Sequence, residues 1–379
     1  MKNLTELESP TLLLDLEKTK QNIQRMQRKI EPMGVSLRPH LKTCKSMDVA
    51  RLVAEPGDDT PITVSTVTEA EYFFDGGYRD ILYAVSIVPN KLRRLKALQD
   101  KGANIVLITS DLEGAKTTEA VCQELQCSFP CLIEIDCDGK RAGLKPTDPK
   151  IIDLAQLLTQ MKGLSFAGVM THGGGSYAAK SIEELKDFAE IERSAVVTAA
   201  TQIRSAGIDC SIVSMGSTPS ITFAENLEGI TEVRVGVFVF QDMVMEALNV
   251  CEVSDIAVSV LATVISHNRS ENRVLIDAGS LALSADPGKP NRHGNVHFGL
   301  VCDGKTGVPF PDLFVTSCNQ EHGLISLDFT SVSFDDLPIG HQLRILPNHA
   351  CITAAAYPGY HVLGSDQKIV DYWTRCNGW

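Results

Sequence analysis

No CxxC pair occurs among the eleven cysteines of this 379-residue chain. That absence removes the commonest structural-zinc and thiol-redox spacings, and an odd, irregularly spaced set argues against a disulfide framework. No apolar run approaches the roughly 20 residues needed to cross a bilayer. The N-terminal stretch MKNLTELESPTLLLDLEK is broken by charges before a signal-peptide apolar region can form. Positive charge is in deficit, since 35 Lys and Arg against 47 Asp and Glu leave a net charge of −12. A general nucleic-acid binder, which must neutralise phosphates with clustered Lys and Arg, is thereby excluded. A local pocket can still be positive, so an anionic small ligand stays open. The expectation is a reduced, soluble, cytoplasmic protein with neither a membrane nor a nucleic-acid partner.

What is present is an ordinary globular composition, 44% hydrophobic and 22% charged, in a chain long enough for one large domain and a smaller one. Nearly continuous apolar runs predict strands at Val35–Lys42, Ile62–Val67, Ile81–Val88, Ile105–Ser110, Cys131–Asp136, Phe166–His172, Ser211–Gly216 and Val233–Phe240. This is the pattern of strands buried on both faces of a parallel sheet. Helical patterns lie between them. The clearest runs from about Ile182 to Ala206, with Ile182, Leu185, Phe188, Ile191, Ala195, Ala199 and Ile203 on one stripe. Ser181 and Glu184 form a capping-box pair before it, and Gly207 is placed to end it. Another helix follows Asp15, with Leu16, Ile23, Met26 and Ile30 on one side.

Eight such units predict an α/β fold, a (β/α)8 TIM-type barrel over residues 10–245. An open doubly wound sheet fits the same strand count. Beyond Ala257 the texture changes to strands joined by turns, at Val258–His267, Arg273–Ala278, Leu313–Cys318, Gly323–Phe329 and Gln342–Leu346. Residues 246–379, with 1–9, are therefore read as an antiparallel β domain.

Functional residues of such barrels gather where strands end. Polar residues recur there: Arg38-Pro39-His40-Leu41-Lys42-Thr43, Glu134 to Arg141, Thr171 to Tyr177, Ser214 to Pro219, and Arg234-Val235-Gly236-Val237. A lysine ending an apolar strand is costly to desolvate as an ammonium, which favours the amine that attacks an aldehyde. Alone, Lys42 is more simply a lysine snorkelling outward. Gly216-Ser217-Thr218 leads into a helix and can expose N–H groups and hydroxyls to an anion. Alone, it is an ordinary cap. His172, followed by three glycines, could stack on a planar ligand, or be a hydrogen-bonded strand end.

Taken together, RPHLKTCKS, TVSTVTEAEYF, ILYAVSIVPNKL, EIDCDGKRAG, GVMTHGGGSY, VSMGSTPS, EVRVGVFVF, NQEHG and RILPNHAC run from end to end of the chain. With these motifs the sequence resembles the fold-type III, alanine-racemase-like enzymes that use pyridoxal 5'-phosphate. It looks closest to their branch of D-serine dehydratase, D-threo-3-hydroxyaspartate dehydratase and D-threonine aldolase. The resemblance implies that Lys42, and not Lys45, is the Schiff-base lysine. It implies that Ser217, Thr218, Gly236 and Val237 hold the cofactor phosphate, and that Arg141 approaches the phenolic oxygen. His172 would pack on the ring face, with Tyr177 or Arg234 near the ring nitrogen. Cys44 stands where many relatives have histidine.

Near the C-terminus, Pro347-Asn348-His349-Ala350-Cys351 is read as strand, in which residues two apart share a side. Imidazole with thiolate suits zinc better than magnesium or calcium. A bare HxC is usually two unrelated side chains, but the resemblance implies a metal at His349 and Cys351. The implied activity is a zinc-dependent dehydratase (an ammonia-lyase) that turns a β-hydroxy D-amino acid into a 2-keto acid and ammonia. Retro-aldol cleavage ranks second, with racemisation and a non-catalytic cofactor carrier below it. A homodimer is expected by analogy. Lys289, Arg292, His293 and His297, in Asp286–His297, could serve a second carboxylate or form a solvated turn. Glu321 and His322 receive no role.

Overall fold

A computed structural model of the chain describes residues 3–288 and 297–379. Two compact units emerge: Arg25–Gly236 with Gly378–Trp379, and the residues up to Gln24 with Val237–Asn377. The boundaries differ from 10–245 because Thr11–Asp15 pairs with Val258–Asn268 and Gly359–Leu363, in the sheet of the other unit.

In the unit 25–236, eight parallel strands form one sheet. In chain order they are Ser36–Leu37, Pro61–Val64, Asp80–Tyr83, Asn104–Thr109, Phe129–Ile135, Leu164–Thr171, Ile212–Met215 and Glu232–Val233. The first pairs with the eighth, Ser36 opposite Glu232. The remaining gap, between the first and second, is bridged at His40 and Thr63. There Leu41 N–H donates to Thr63 O at 2.9 Å, and Thr63 N–H donates to Pro39 O at 2.9 Å. The ring is nearly closed, which decides for the alanine-racemase-like, TIM-type barrel against an open sheet. Both faces of the strands are buried, as their apolar runs predicted; Ile105, Leu107, Ile133 and Val169 are fully enclosed.

The first strand is shorter than the apolar run Val35–Lys42. Pro39 has no N–H to give a ladder, and Leu41 turns the chain by accepting the Lys45 N–H at 2.8 Å. Lys42 therefore rides on a turn, not on a strand. The eighth strand likewise stops at Val233, and Val237–Val239 is a 3-10 helix.

The helix Ile182–Ser205 starts as the capping signal predicted, with Ser181 Oγ accepting the Glu184 N–H at 3.2 Å. The reciprocal bond differs: Glu184 Oε2 accepts from Lys180 N–H at 2.8 Å, one residue before the cap. Its buried face also differs from the predicted stripe. Leu185, Ala189, Glu192, Val196, Ala199 and Ile203 are buried, whereas Ile182 and Ile191 are exposed. The true period begins at Leu185 and admits a carboxylate.

The other unit carries a nine-stranded sheet, antiparallel except where Thr11–Asp15 meets Gly359–Leu363. Each of the five runs read as strand beyond Ala257 contributes to it. Leu300–Asp303, Gly359–Leu363 and Ile369–Thr374 add strands not read from the sequence. Among the described residues no helix is long and apolar enough to cross a membrane.

Charge is buried inside the barrel. Arg38, 6% exposed, donates from Nε to Glu232 at 2.7 Å and forks onto Asp80 at 2.9 and 3.0 Å. Breaking a buried pair strands its partner, at about 3–5 kcal/mol. Arg38→Ala is expected to lower the unfolding free energy read from urea titration by an amount of that order, and the midpoint with it. Arg38→Lys, which cannot fork, should recover only part of the loss; an unchanged midpoint in both variants would refute this account.

Candidate active site

Two lysines lie on the first βα turn, and their surroundings distinguish them. Lys45 Nζ is 3.1 Å from Glu69 Oε1, and the Glu69 side chain is fully buried. Glu69 is fixed in turn by the Ser65 N–H at 3.0 Å and the Thr66 hydroxyl at 3.2 Å. An ammonium held this way is no nucleophile. Lys42 is half-buried, and its charge depresses the pKa of both His40 and His172. Of the pair, Lys42 is the one whose charge reaches the two imidazoles.

His172 Nδ1 lies 2.9 Å from Gly216 O. A carbonyl only accepts, so Nδ1 carries the proton and Nε2 keeps its lone pair in the neutral ring. Burial, then the charges of Lys42 and Arg141, depress His172 to about 3, so it is neutral at ordinary pH. Burial first, then Lys42 and Arg234, also hold His40 well below its ordinary value. His40 Nδ1 is buried without a hydrogen-bond partner. The sequence reading gave His40 no part.

The sixth and seventh strand ends meet through hydroxyls. Ser217 caps the short helix Thr218–Phe223, its Oγ accepting the Ser220 N–H at 3.3 Å. Ser217 Oγ lies 2.7 Å from Ser220 Oγ and 3.3 Å from Ser176 Oγ. Thr218 is buried at the first helical position. A Cβ on Gly236 would meet His40 O at 3.0 Å and Thr43 Oγ1 at 3.1 Å, so only glycine leaves that approach open. Val237 opens its 3-10 helix, buried.

Arg141 and Tyr177 line a cleft of about 810 Å³ with Ser86, Glu134 and Lys140. Arg234 is fully buried, one Nη donating to Ser214 Oγ and the other to Thr171 O at 2.6 Å. Burial lowers its pKa to about 10 despite Glu232, Glu192 and Glu134 nearby. Cys44 is buried, its Sγ donating to Leu41 O at 3.5 Å. The mouth thus offers an amine, a neutral imidazole with an open lone pair, an unpaired buried nitrogen and a glycine-lined approach. These residues fit pyridoxal phosphate.

His349 and Cys351 are not in a strand. The strand Gln342–Leu346 ends before Pro347, His349 is an N-cap, and Cys351 lies in the first turn of the helix Ala350–Ala355. The alternation argument fails, yet the two side chains are hydrogen-bonded. Burial disfavours the imidazolium, but Cys351, Asp242 and Asp286 outweigh it and raise His349 to about 9. Asp286 Oδ2 is 3.1 Å from His349 Nδ1, the outer carboxylate expected of a metal-binding histidine. The proton that imidazole and thiol share is one an ion could displace, so the donors fit zinc. Among the described residues no group of three or more His, Cys, Asp or Glu is gathered for a metal.

His297 is buried, its carbonyl accepting from Asn348 Nδ2 at 2.7 Å. Lys289, Arg292 and His293 lie outside the described residues. Glu321 and His322 are exposed in the turn between Pro309–Cys318 and Gly323–Ser326.

Residues 14–243 match the family described as alanine racemase, N-terminal domain, and 257–363 match a serine dehydratase domain. The D-threo-3-hydroxyaspartate dehydratase of Delftia sp. (strain HT23) is 41% identical over 99% of both chains. A solved structure of that enzyme superposes with a TM-score of 0.94 at 40% identity, covering 100% of each chain. A D-threo-3-hydroxyaspartate dehydratase with cysteine replaced by alanine, described as metal-free, gives a TM-score of 0.93 at 40% identity over 100% of each chain. The D-serine dehydratase of Dictyostelium discoideum is 30% identical over 100% of this chain and 98% of its own. The D-threonine aldolase of Arthrobacter sp is 28% identical over 98% of this chain and 92% of its own.

The depressed His172 has a consequence for stability. Its ordinary value is 6.5 and its folded value about 3, so the folded state resists the proton that the unfolded state accepts. The contribution is present above about pH 6.5 and is lost as pH falls toward 3. Urea midpoints should drop over that window, and His172→Gln should make the drop shallower, His40 keeping its own share. An identical slope in the variant would show that His172 titrates normally.

Proposed function

Because the chain belongs to the alanine-racemase-like family of pyridoxal phosphate enzymes, in its serine dehydratase branch, we propose that it is a D-amino-acid dehydratase. Its substrate would be a β-hydroxy D-amino acid such as D-threo-3-hydroxyaspartate or D-serine, and its products a 2-keto acid and ammonia. One observation carries this reading above the rest. A chain alike from end to end with a D-threo-3-hydroxyaspartate dehydratase holds an imidazole and a thiol in contact, at His349 and Cys351.

Pyridoxal phosphate, when bound, withdraws electrons from the substrate Cα and makes its bonds labile. Lys42 would hold the cofactor through its Nζ, and the same Nζ would accept the substrate Cα proton. His172, its ring fixed by Gly216 O, would pack on the face of the coenzyme ring as a neutral group. Arg141 would offer its charge to the phenolic oxygen. Arg234 has both Nη atoms committed to Ser214 and Thr171, which favours Tyr177 as the residue that would lie near the ring nitrogen. Ser217, Thr218, Gly236 and Val237 receive the phosphate. Zinc on His349 and Cys351 would supply Lewis acidity toward the β-hydroxyl, a poor leaving group without it.

Retro-aldol cleavage needs a base for the β-hydroxyl proton. No histidine lies between Tyr177 and Cys210 to supply it from the sixth strand end. Racemisation gains nothing from a metal. Eleven free thiols fit a reducing, cytoplasmic setting, and a homodimer belongs to the same proposal.

D-Threonine separates the readings. The expected products are 2-oxobutyrate and ammonia; acetaldehyde with glycine would replace the dehydratase by an aldolase. Chelation should abolish keto-acid formation and zinc restore it, while full activity without metal would remove His349 and Cys351 from the mechanism. Borohydride should leave a reduced adduct on Lys42, and Lys42→Ala should lower turnover by at least about 100-fold.

A further inference from the structure

Glu192 is a carboxylate on the buried face of the helix Ile182–Ser205, 1% exposed, and no step above uses it. Its Oε1 accepts the N–H of Gly173 at 2.7 Å and of Gly216 at 3.3 Å. Those two residues follow His172 and precede Ser217, so one oxygen ties the loops of the sixth and seventh strands together. The other oxygen, Oε2, lies 2.6 Å from Ser220 Oγ. From there the line of oxygens continues to Ser217 Oγ at 2.7 Å and Ser176 Oγ at 3.3 Å.

Each hydroxyl has one proton, so this line can point only one way at a time. With Glu192 ionised, Ser220 donates to Glu192, and the 2.7 Å contact between Ser217 Oγ and Ser220 Oγ is bridged only if Ser217 donates to Ser220. Ser217 can then turn its proton to a ligand only by leaving that short contact without a hydrogen. With Glu192 neutral, its own O–H donates to Ser220 Oγ and Ser220 donates to Ser217. The Ser217 proton is then released toward the ligand, while Oε1 keeps both backbone bonds.

Resting on the reading that Ser217 receives the cofactor phosphate, we propose that Glu192 is a positioning residue that presents the Ser217 hydroxyl as a donor to that phosphate by binding it as a neutral carboxylic acid. Cofactor binding would therefore take up one proton at Glu192. No bond is made or broken apart from this O–H, and solvent supplies the proton. Burial raises the pKa of Glu192, against the hydrogen bonds from Ser220 and Gly173, the charge of Arg234 and the Gly216 N–H. The other titratable group facing it, the Cys137 thiol, is pushed up by burial to about 12 and stays uncharged. A phosphate dianion raises the carboxyl further, since two negative charges in a low-dielectric site oppose each other.

The test compares Glu192→Gln, Glu192→Asp and Glu192→Ala with wild type, reading pyridoxal phosphate affinity of the apoprotein by absorbance from about pH 6 to about pH 9. An amide reproduces the neutral acid: its oxygen accepts from Gly173 and Gly216, and its NH2 donates to Ser220. Glu192→Gln should bind within about threefold of wild type at low pH and more tightly at high pH. The wild-type affinity should weaken with one more proton of slope than the variant's, up to about tenfold per pH unit. Glu192→Asp and Glu192→Ala should each lose about tenfold or more. Pyridoxal without phosphate should show no difference in slope between wild type and Glu192→Gln. Should Glu192→Gln not fold, infrared spectra of wild type with isotope-labelled glutamate decide instead: a protonated carboxyl band must grow as cofactor binds. Equal slopes in both proteins, Glu192→Gln as weak as Glu192→Ala, or no such band would each overturn the proposal while leaving the cofactor reading intact. A wild type that forms no borohydride-reducible adduct on Lys42 would overturn both.

Discussion

Glu232 lies between two buried arginines, and the barrel interior is organised around it. Its Oε2 takes the Arg38 Nε–H at 2.7 Å, and its Oε1 takes the Ser214 hydroxyl at 2.6 Å, which itself contacts Arg234. Arg38 reaches on to Asp80, and Arg234 reaches Thr171 O. The first, third, sixth, seventh and eighth strands are joined in one polar belt where such barrels usually stack apolar side chains. The belt is tolerable because every charge in it is matched and hydrogen-bonded. Its effect extends to the mouth. Arg234 and Lys42 add positive potential there, and a buried imidazole in that potential stays neutral. The fold that holds the belt together also keeps both imidazoles at the mouth neutral.

The choice between Lys42 and Lys45 shows what a sequence can and cannot carry. Both follow the same motif, and only the family resemblance ranked them. The physical cause is the turn begun by Pro39 and closed between Leu41 and Lys45. It places Lys45 at φ 45°, facing the buried Glu69, and leaves Lys42 as the one whose charge reaches the two imidazoles. An ion pair across 24 residues of sequence has no local signature. The discrimination is tertiary.

All eight barrel strands were legible because strands buried on both faces read as unbroken apolar runs. Their lengths were not, since the first and eighth strands stop at Leu37 and Val233, inside runs that still look apolar. Thr11–Asp15 was hidden because Leu12, Leu13 and Leu14 directly precede a helix, and their strand partners lie far away in sequence. Arg38 and Glu192 were missed for a common reason. Each is a charge on a face whose period calls for an apolar side chain, and a stripe drawn through hydrophobic letters steps around it. Following the period from Leu185 through Ala189 to Val196, without regard to residue type, lands on Glu192. A buried position filled by a carboxylate is then the signal itself.

In the HxC pair, two side chains meet by a geometry other than the one their spacing suggests. In a strand, residues 349 and 351 would share a side; in a helix, positions two apart diverge by about 160° (roughly 200° of turn). Neither rule brings them together here. His349 is an N-cap, with φ −135° and ψ 99°, so its side chain leaves from extended backbone while Cys351 is already helical. Asp242 fixes that junction by accepting the Ala350 N–H at 3.0 Å, and Asp286 fixes the imidazole from the other side at 3.1 Å. The contact thus depends on the helix beginning at Ala350 and not one residue earlier. Two carboxylates outside the pair define its geometry, so the contact is held by tertiary structure and not by the spacing of the two residues.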